Sequence, residues 1–236
     1  MPKEAIILAG GKAERLGDAA EGMPKALVAI GGRPLAAYQL ALLGRAGVER
    51  VIVSCAAGQE EEFEVALDGL GVEVVCVGEP EPLGRGGGLR LAAEARQSAE
   101  PIYALNGDEL FDLDLRELYT THRRRGGAAT ITVAPLKSHL GVVDIDDDDV
   151  VRGFREGPKL PYWVNTGLYV LENEAIDRLP ERGDHESTTF PELAAEGLLR
   201  GFRHTGLWLT VNTPKDLRLA QEYVESHPDA LAVRVG

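Results

Sequence analysis

The chain has 236 residues, enough for one domain with a substantial core, and its 38 acidic and 25 basic residues give a formal net charge of -13. This acidity argues against nucleic acid or an anionic membrane as a partner. No apolar stretch is long enough to cross a membrane and no cleavable basic leader opens the sequence, so we expect a cytoplasmic protein. Cys55 and Cys76 lie in apolar runs and are expected to be reduced thiols in neighbouring strands.

Apolar runs and helical patterns alternate through the first half of the chain. Strands are predicted at 5–9, 50–54, 72–77 and 101–105, and helices at 34–46, 58–69, 86–97 and 114–124. Alternation of this kind implies right-handed crossovers and a parallel sheet. Asp112 and Asp114 are predicted to cap the last of these helices.

The second half of the chain has a different pattern. The runs ATITVAPL and GVVDI predict antiparallel strands, with IDDDDV as a solvated turn before VVRGF, and WVNTGLYVL is another strand-like run. Helices are predicted at 188–197 and at 214–226, the latter capped by Thr213. We therefore expect one α/β domain over residues 1–236: a Rossmann-like, three-layer, mixed and mostly parallel sheet. A small antiparallel insertion around 126–165 would form the acceptor side of a cleft.

A glycine turn after the first predicted strand marks a candidate phosphate site. Gly10 and Gly11 carry no side chain that would keep a ligand from the backbone N–H groups, so the loop can cradle an anion. Arg15 adds a planar fork suited to phosphate, and Lys25 adds a compact charge. The pattern fits neither a Walker loop nor the dinucleotide fingerprint. A strand that ends in such a turn is nevertheless where an open α/β sheet usually binds a nucleotide.

Seven motifs follow one another along nearly the whole chain: LAGGKAERLG, PKALVAIGGRPL, EPLGRGGGLRLA, LNGDELFD, FREGPKLPYWVNTGLYVL, FPELAAEG and WLTVNTPKDL. In this order they resemble the sugar-nucleotide pyrophosphorylases, the nucleoside-triphosphate:sugar-1-phosphate nucleotidyltransferases. The resemblance implies transfer of a nucleoside monophosphate from a nucleoside triphosphate to a sugar-1-phosphate, with release of pyrophosphate. It also implies Mg²⁺ as cofactor, a nucleotide-binding half over 1–125, a sugar-phosphate-binding half over 126–236, and possible assembly into a homo-oligomer.

The resemblance assigns catalytic roles to three residues. Arg15 would grip the triphosphate, Lys25 would lie near the phosphate being attacked, and the carboxylate of Asp108, just past a strand, would hold Mg²⁺. The nucleotide would also be met by residues of the first three motifs and by the residue before the Gly-Asp pair. These are Leu8, Ala9, Gly10, Gly11, Pro82, Gly84, Gly87 and Asn106.

The later motifs imply an acceptor site. Glu156 and Asn165 would hydrogen-bond sugar hydroxyls, and Lys159 would reach the sugar phosphate in place of the lysine expected at position 157, which is glycine here. Tyr162 and Trp163 are expected to pack in the core. The candidate sugar-phosphate residues are Gly107, Glu156, Lys159, Asn165, Thr166 and Gly167.

The largest departure from the family pattern is Thr210, which stands where a second metal-binding aspartate is usual. A hydroxyl carries no charge, so we expect Mg²⁺ to depend on Asp108, substrate phosphates and waters. Pro-Leu-Gly in the third motif is common among the guanylyltransferases of the family, so the resemblance implies GTP with mannose-1-phosphate or heptose-1-phosphate. Three alternatives stay open: UTP or dTTP with glucose-1-phosphate, a catalytically weak nucleotide-sugar-sensing regulatory subunit, and cytidylyl transfer to a non-sugar phosphate.

Overall fold

The fold is taken from a computed structural model that describes residues 1–11, 16, 22–138 and 140–227. The strands are β1 (Glu4–Leu8), β2 (Ala29–Ile30), β3 (Arg33–Pro34), β4 (Arg50–Ala56), β5 (Glu73–Glu79), β6 (Ile102–Asn106), β7 (Glu109–Phe111), β8 (Ala129–Lys137), β9 (Val142–Ile145), β10 (Val151–Arg155), β11 (Lys159–Leu171), β12 (Leu199–Arg203) and β13 (Trp208–Thr210). The helices are α1 (Leu35–Ala46), α2 (Glu60–Leu67), α3 (Gly84–Ala93), α4 (Leu115–Arg125), α5 (Asn173–Asp177), α6 (Thr189–Ala195) and α7 (Pro214–Ser226).

A seven-stranded mixed sheet forms the centre, in the order β12-β8-β11-β6-β1-β4-β5. The pairs β6–β1, β1–β4, β4–β5 and β12–β8 are parallel, whereas β11 runs antiparallel to both of its neighbours. Helices cover both faces of this sheet. Successive residues of β1 point to opposite faces, so Ile7 packs in a buried cluster on one face and Ile6 in a separate cluster on the opposite face. The predicted three-layer, mostly parallel α/β fold is confirmed.

Every predicted strand and helix is present, with ends shifted by a few residues. Asp114 caps α4 by accepting hydrogen bonds from the next turn, and Thr213 forms a capping box with Asp216 at the start of α7. The capping role predicted for Asp112 is wrong, because its carboxylate accepts instead from the backbone N–H of Leu207 at 2.7 Å. The short elements β2, β3, β7, α5, β12 and β13 were not predicted.

The antiparallel insertion is confirmed as a hairpin of β9 and β10, with the four aspartates in the turn between them. Cys55 and Cys76 are free thiols on the paired strands β4 and β5, as predicted. Core packing of Tyr162 and Trp163 is wrong: they are 65% and 43% exposed. None of the helices in the described part of the chain combines the length and the hydropathy that a membrane span needs.

Candidate active site

An open cleft of about 980 Å³ lies beyond the carboxyl ends of four parallel strands. Segments that follow β1, β4, β5 and β6 all contribute to its wall, since parallel strands bring their carboxyl ends to the same edge of the sheet. The volume suits a nucleotide-sized ligand. The predicted site residues that line it are Leu8, Ala9, Gly10, Gly11, Lys25, Pro82, Gly84, Asn106, Gly107 and Asp108.

Lys25 is the central cation of the described part of the cleft. Its Nζ donates a hydrogen bond to Asp108 Oδ2 at 2.6 Å and another to Asn212 Oδ1, and its side chain is 13% exposed. An ammonium group has three N–H donors, so these two partners fix its direction and leave one donor for a ligand. The arrangement holds a positive charge at the cleft wall in one position.

Asn212 is a residue of this site that the sequence reasoning missed. It lines the cleft, its Nδ2 donates to Thr210 Oγ1, and its backbone N–H donates to Asp216 Oδ2 at 3.2 Å. Asp216 also belongs to the capping box of α7, so the start of that helix sets the position of Asn212. The NTPK sequence signals the cap, but no sequence signal indicates that Asn212 meets Lys25.

Glu109, beside Asp108, is directed away from the cleft. Burial, then the neighbouring Asp108 carboxylate, raise the pKa of Glu109 well above its usual range, although the hydrogen bond from Trp208 lowers it. Trp208 Nε1 donates to Glu109 Oε2 at 2.6 Å, across the antiparallel pair of β7 and β13. Glu109 is 6% exposed and does not line the cleft. It therefore anchors Trp208 and does not replace the missing second carboxylate.

The described residues would allow a divalent cation to bind through a single carboxylate, that of Asp108. Of the two carboxylate oxygens of Asp108, Oδ2 accepts the hydrogen bond from Lys25, and Oδ1 has no side-chain partner among the described residues. No group of three or more His, Cys, Asp or Glu side chains in the described part of the chain could coordinate a metal ion. The hydroxyl of Thr210 is already bonded to Asn212. Mg²⁺ commonly binds through one or two carboxylates together with substrate phosphates and waters, which matches Asp108 alone.

Glu79, the last residue of β5, is another carboxylate of the cleft lining. Ser54 Oγ donates to Glu79 Oε1 at 2.8 Å and the backbone N–H of Leu83 donates to Oε2 at 3.2 Å, so the carboxylate is fixed by two bonds. A Cβ built on Gly10 would lie 3.0 Å from Oε1, so the glycine turn passes close to it. A negative charge here disfavours phosphate and favours N–H donors of a ligand.

The glycines at the start of α3 are required by contacts within the protein. Gly84 has φ +78°, and a Cβ on it would lie 2.8 Å from the carbonyl oxygen of Gly183. A Cβ on Gly87 would lie 2.5 Å from the carbonyl oxygen of Glu181, and Gly87 does not line the cleft. The loop before α6 therefore packs directly on this helix start, which accounts for both glycines without a ligand.

A network of charged and polar groups ties that loop to the sheet. Arg85 pairs with Asp184 at 3.4 Å and with Glu186 at 2.5 Å. Glu186 Oε1 in turn accepts from Asn165 Nδ2 at 2.8 Å, and Asn165 Nδ2 also donates to the hydroxyl of Tyr169 at 2.9 Å. Both N–H donors of the Asn165 amide are therefore occupied. Its carbonyl oxygen already accepts from the backbone N–H of Gly167 at 3.1 Å, which leaves one lone pair for a sugar hydroxyl.

The remaining predicted residues lie away from the cleft lining. Thr166 is buried and donates to the carbonyl oxygen of Thr132 at 3.0 Å, and a Cβ on Gly167 would meet Asn106 Nδ2 at 2.3 Å, so both serve packing. Glu156 and Lys159 are exposed where the hairpin joins the sheet. Arg15 lies outside the described residues. The predicted residues that do not line the cleft are Gly87, Glu156, Lys159, Asn165, Thr166, Gly167 and Thr210.

Comparison with known proteins gives consistent findings. A family model described as nucleotidyl transferase matches residues 4–227. The chain is 34% identical to a mannose-1-phosphate guanylyltransferase catalytic subunit beta from Drosophila pseudoobscura pseudoobscura, over 90% of this chain and 60% of the relative. It is 33% identical to a mannose-1-phosphate guanyltransferase from Saccharomyces cerevisiae, over 90% of this chain and 62% of the relative.

The chain thus spans about three fifths of the length of these curated relatives. A solved structure of a putative glucose-1-phosphate thymidylyltransferase from Bacillus anthracis shares the fold, with a TM-score of 0.77. That likeness covers 100% of this chain and 98% of the other at 18% identity, so it concerns the architecture alone.

Proposed function

Because the chain belongs to the nucleotidyl transferase family, we propose that it transfers GMP from GTP to mannose-1-phosphate, giving GDP-mannose and pyrophosphate. The observation that carries the proposal is the Lys25 ammonium, held by Asp108 and Asn212 at the cleft wall. The two curated relatives above are named for this activity.

The reaction needs charge neutralisation and alignment, and no nucleophilic side chain. An oxygen of the sugar phosphate attacks the α-phosphorus of the triphosphate, the new P–O bond forms, and the bond to pyrophosphate breaks. The free N–H of Lys25 stabilises negative charge on a phosphate oxygen in the transition state. Because Asp108 and Asn212 fix the ammonium beforehand, little reorganisation is needed when that charge develops.

Charge in the cleft supports a role for a divalent cation. The described lining contains the carboxylates Glu79, Glu81, Asp108 and Asp184 but only two cations, Lys25 and Arg85. Arg85 is already paired with two carboxylates. Asp108 would hold Mg²⁺, which when bound supplies neutralisation of the phosphate oxygens. Arg15, from the first motif, is proposed to contribute further positive charge.

Glu79 supports guanine as the base. Guanine presents two adjacent N–H donors, N1–H and the N2 amino group, and a carboxylate can accept both. Uracil and thymine present one N–H between two carbonyl oxygens, which a carboxylate repels, and cytosine and adenine place an acceptor nitrogen beside their amino group. A carboxylate fixed by Ser54 and by the Leu83 N–H would therefore favour guanine.

The proposal is tested by measuring pyrophosphate release with Mg²⁺ from GTP, UTP, dTTP and CTP, each paired with mannose-1-phosphate, glucose-1-phosphate and heptose-1-phosphate. We expect the highest kcat/KM for GTP with mannose-1-phosphate. Turnover with another base would overturn the guanine assignment alone. No turnover with any pair, together with binding of GDP-mannose by calorimetry, would favour a regulatory subunit.

A variant isolates the base contact from the chemistry. Glu79→Gln keeps the size of the side chain but offers one N–H donor and one acceptor, so kcat/KM for GTP should fall at least about tenfold relative to UTP. Inosine triphosphate, which lacks the N2 amino group, should be a poorer substrate than GTP for the natural protein and equal to GTP for the variant. Unchanged selectivity would place the base elsewhere in the cleft.

A further inference from the structure

Gln39 is a buried polar side chain of helix α1 that contacts the segment carrying Asp108. It is 1% exposed, and most of its neighbours on α1 are buried apolar residues. Its Nε2 donates one hydrogen bond to the carbonyl oxygen of Asn106 at 2.8 Å and another to that of Glu109 at 2.9 Å. A glutamine amide has two N–H donors, so both are used here. The two accepting residues flank Gly107 and Asp108, and Gln39 therefore holds this turn at both of its ends.

The turn that Gln39 holds is also fixed from two other directions. The backbone N–H of Gly107 donates to the carbonyl oxygen of Leu8 in β1 at 2.8 Å, and the N–H of Val211 donates to the carbonyl oxygen of Asp108 at 2.8 Å. A Cβ on Gly107 would lie 2.7 Å from the same Leu8 oxygen, so the turn lies close against β1. Leu8 and Val211 act through backbone atoms, whereas Gln39 acts through its side chain. A substitution can therefore remove the Gln39 contacts alone.

The position of Gln39 carries a cost in stability. Its Oε1 is buried and has no hydrogen-bond partner among the described residues. A buried acceptor without a donor destabilises the folded state, and an apolar side chain of similar size would avoid this penalty. Both N–H donors of Gln39 go to the turn around Asp108, and buried polar contacts of this kind hold a segment in one arrangement. The amide therefore serves the geometry of the turn.

We propose that Gln39 is a positioning residue for nucleotidyl transfer: it fixes the turn so that the Asp108 carboxylate meets Lys25. This role rests on the function proposed above. Asp108 Oδ2 accepts from Lys25 Nζ at 2.6 Å, and a displacement of the turn by about 1 Å would break that hydrogen bond. The same displacement would move the carboxylate that is proposed to hold a divalent cation. Gln39 does not line the cleft, so it acts through Asp108 and not on a substrate.

Two adjacent residues of α1 give a matched pair of variants. Gln39→Met keeps the length of the side chain and removes both N–H donors and the unpaired oxygen. Tyr38, the preceding residue, is 5% exposed and donates from its hydroxyl to the carbonyl oxygen of Ile30 at 2.6 Å. Tyr38→Phe thus also removes a buried hydrogen bond from α1 to a backbone carbonyl, but one outside the cleft lining. A general loss of stability affects both variants, whereas a displaced turn affects Gln39→Met.

The first measurement needs no turnover. Hydrogen–deuterium exchange of the full chain without ligands, followed by mass spectrometry, reports the opening of the segment 106–111. In Gln39→Met the amide of Gly107 should exchange at least about tenfold faster, because the turn loses its contacts to α1. Tyr38→Phe should leave this segment unchanged. Exchange in β4 is the internal reference and should be the same in all three proteins.

The second measurement separates substrate binding from the chemical step, with GTP, mannose-1-phosphate and Mg²⁺. Gln39→Met should lower kcat about tenfold and change the KM of each substrate less than about threefold. The reason is that the other residues lining the cleft stay in place, while Asp108 and Lys25 lose their alignment. Tyr38→Phe should keep kcat within about twofold of the natural protein.

The two measurements together distinguish a positioning role from a structural one. Faster exchange at the turn, with a lowered kcat and an unchanged KM, supports the proposal. Unchanged exchange, or an equal loss of kcat in Gln39→Met and Tyr38→Phe, would overturn it. If the natural protein turned over no substrate pair, the proposed function would fail and the positioning role with it, whereas faster exchange would still show that Gln39 fixes the turn.

Discussion

The cleft and the hairpin of β9 and β10, here called the arm, place charged and apolar groups in opposite ways. In the cleft, Lys25 and Asp108 are mostly buried side chains that hold each other and Asn212 in position. On the arm, apolar side chains such as Phe154 stand in water, and the ion pairs are exposed and screened. Four converging strand ends support the first region, whereas a single hairpin supports the second. A catalytic site gains from groups that are fixed in advance, because little reorganisation is then needed when charge develops in the transition state.

The largest effect is expected from the pair at the cleft wall. Lys25→Ala should lower kcat by about 10²–10³-fold, because it removes a donor that acts on charge developing in the transition state. Asp108→Ala should cost at least as much, since it removes both a partner of Lys25 and the proposed metal ligand. Steady-state rates of pyrophosphate release measure both. Lys3→Ala, an exposed lysine at the other end of β1, is the control and should retain full activity.

Asn212 should give the next largest effect. A hydrogen bond to a charged group contributes about 1.5–3 kcal/mol, so Asn212→Ala should lower kcat about 10- to 100-fold. Asn212→Asp keeps an oxygen near Lys25 and should recover most of that loss. Steady-state rates of pyrophosphate release by the natural protein and the two variants measure this effect. Equal rates in all three would mean that Asp108 alone positions Lys25.

His185 tests the buried support of the cleft, beneath the loop that packs on α3. Burial, and then the charge of Arg85, lower the pKa of His185 to about 4, and neither ring nitrogen has a partner among the described residues. The unfolded chain binds a proton near pH 6.5, whereas the native state does so only near pH 4. The free energy of unfolding therefore falls as the pH drops through this interval.

The loss of unfolding free energy that is due to His185 should reach about 2–3 kcal/mol near pH 4.5 and should be absent above neutral pH. His185→Phe keeps a ring between Tyr169 and Phe190 and removes the titrating group. Urea unfolding at several pH values should then show a smaller loss of stability on acidification in the variant. The same acid loss in both proteins would assign it to other groups.

The smallest effects are expected where the arm joins the sheet. Glu156 and Lys159 are exposed and lie outside the cleft lining, so alanine at either position should change kcat/KM less than about fivefold, the range of screened surface charges. A KM for sugar phosphate raised tenfold or more in either variant would instead support the acceptor roles that the sequence resemblance implies. It would also join the arm to the site and remove the contrast drawn above.

Patterns of local sequence were enough to predict most of the fold. Alternating apolar runs predicted β1, β4, β5 and β6 and the helices between them, because periodicity reports which face of an element is buried. The run of aspartates at 146–149 predicted the hairpin turn, because a run of like charges stays in solvent. Short strands such as β7 and β13 were not predicted, because three residues are too few to show a repeating pattern of apolar and polar side chains. Trp163 was misjudged since an aromatic residue in an apolar run is usually buried, yet here Arg203 lies 5.0 Å over its ring on the surface.

The sequence by itself predicted that Gly10 and Asp108 each follow a strand and that Lys25 lies in the loop after the first of these strands. Strand order then brought all three residues to one cleft. Only the tertiary structure decided which groups meet across it. Asn212 accepts a hydrogen bond from Lys25, 187 positions earlier in the chain, and the Glu79 carboxylate lies close to Gly10. The amide N–H groups of Asn165 donate to Glu186 and Tyr169. Local patterns fix where a backbone turns. The partner of a polar side chain depends on distant segments, because hydrogen bonds are made at about 3 Å and carry no trace in sequence spacing.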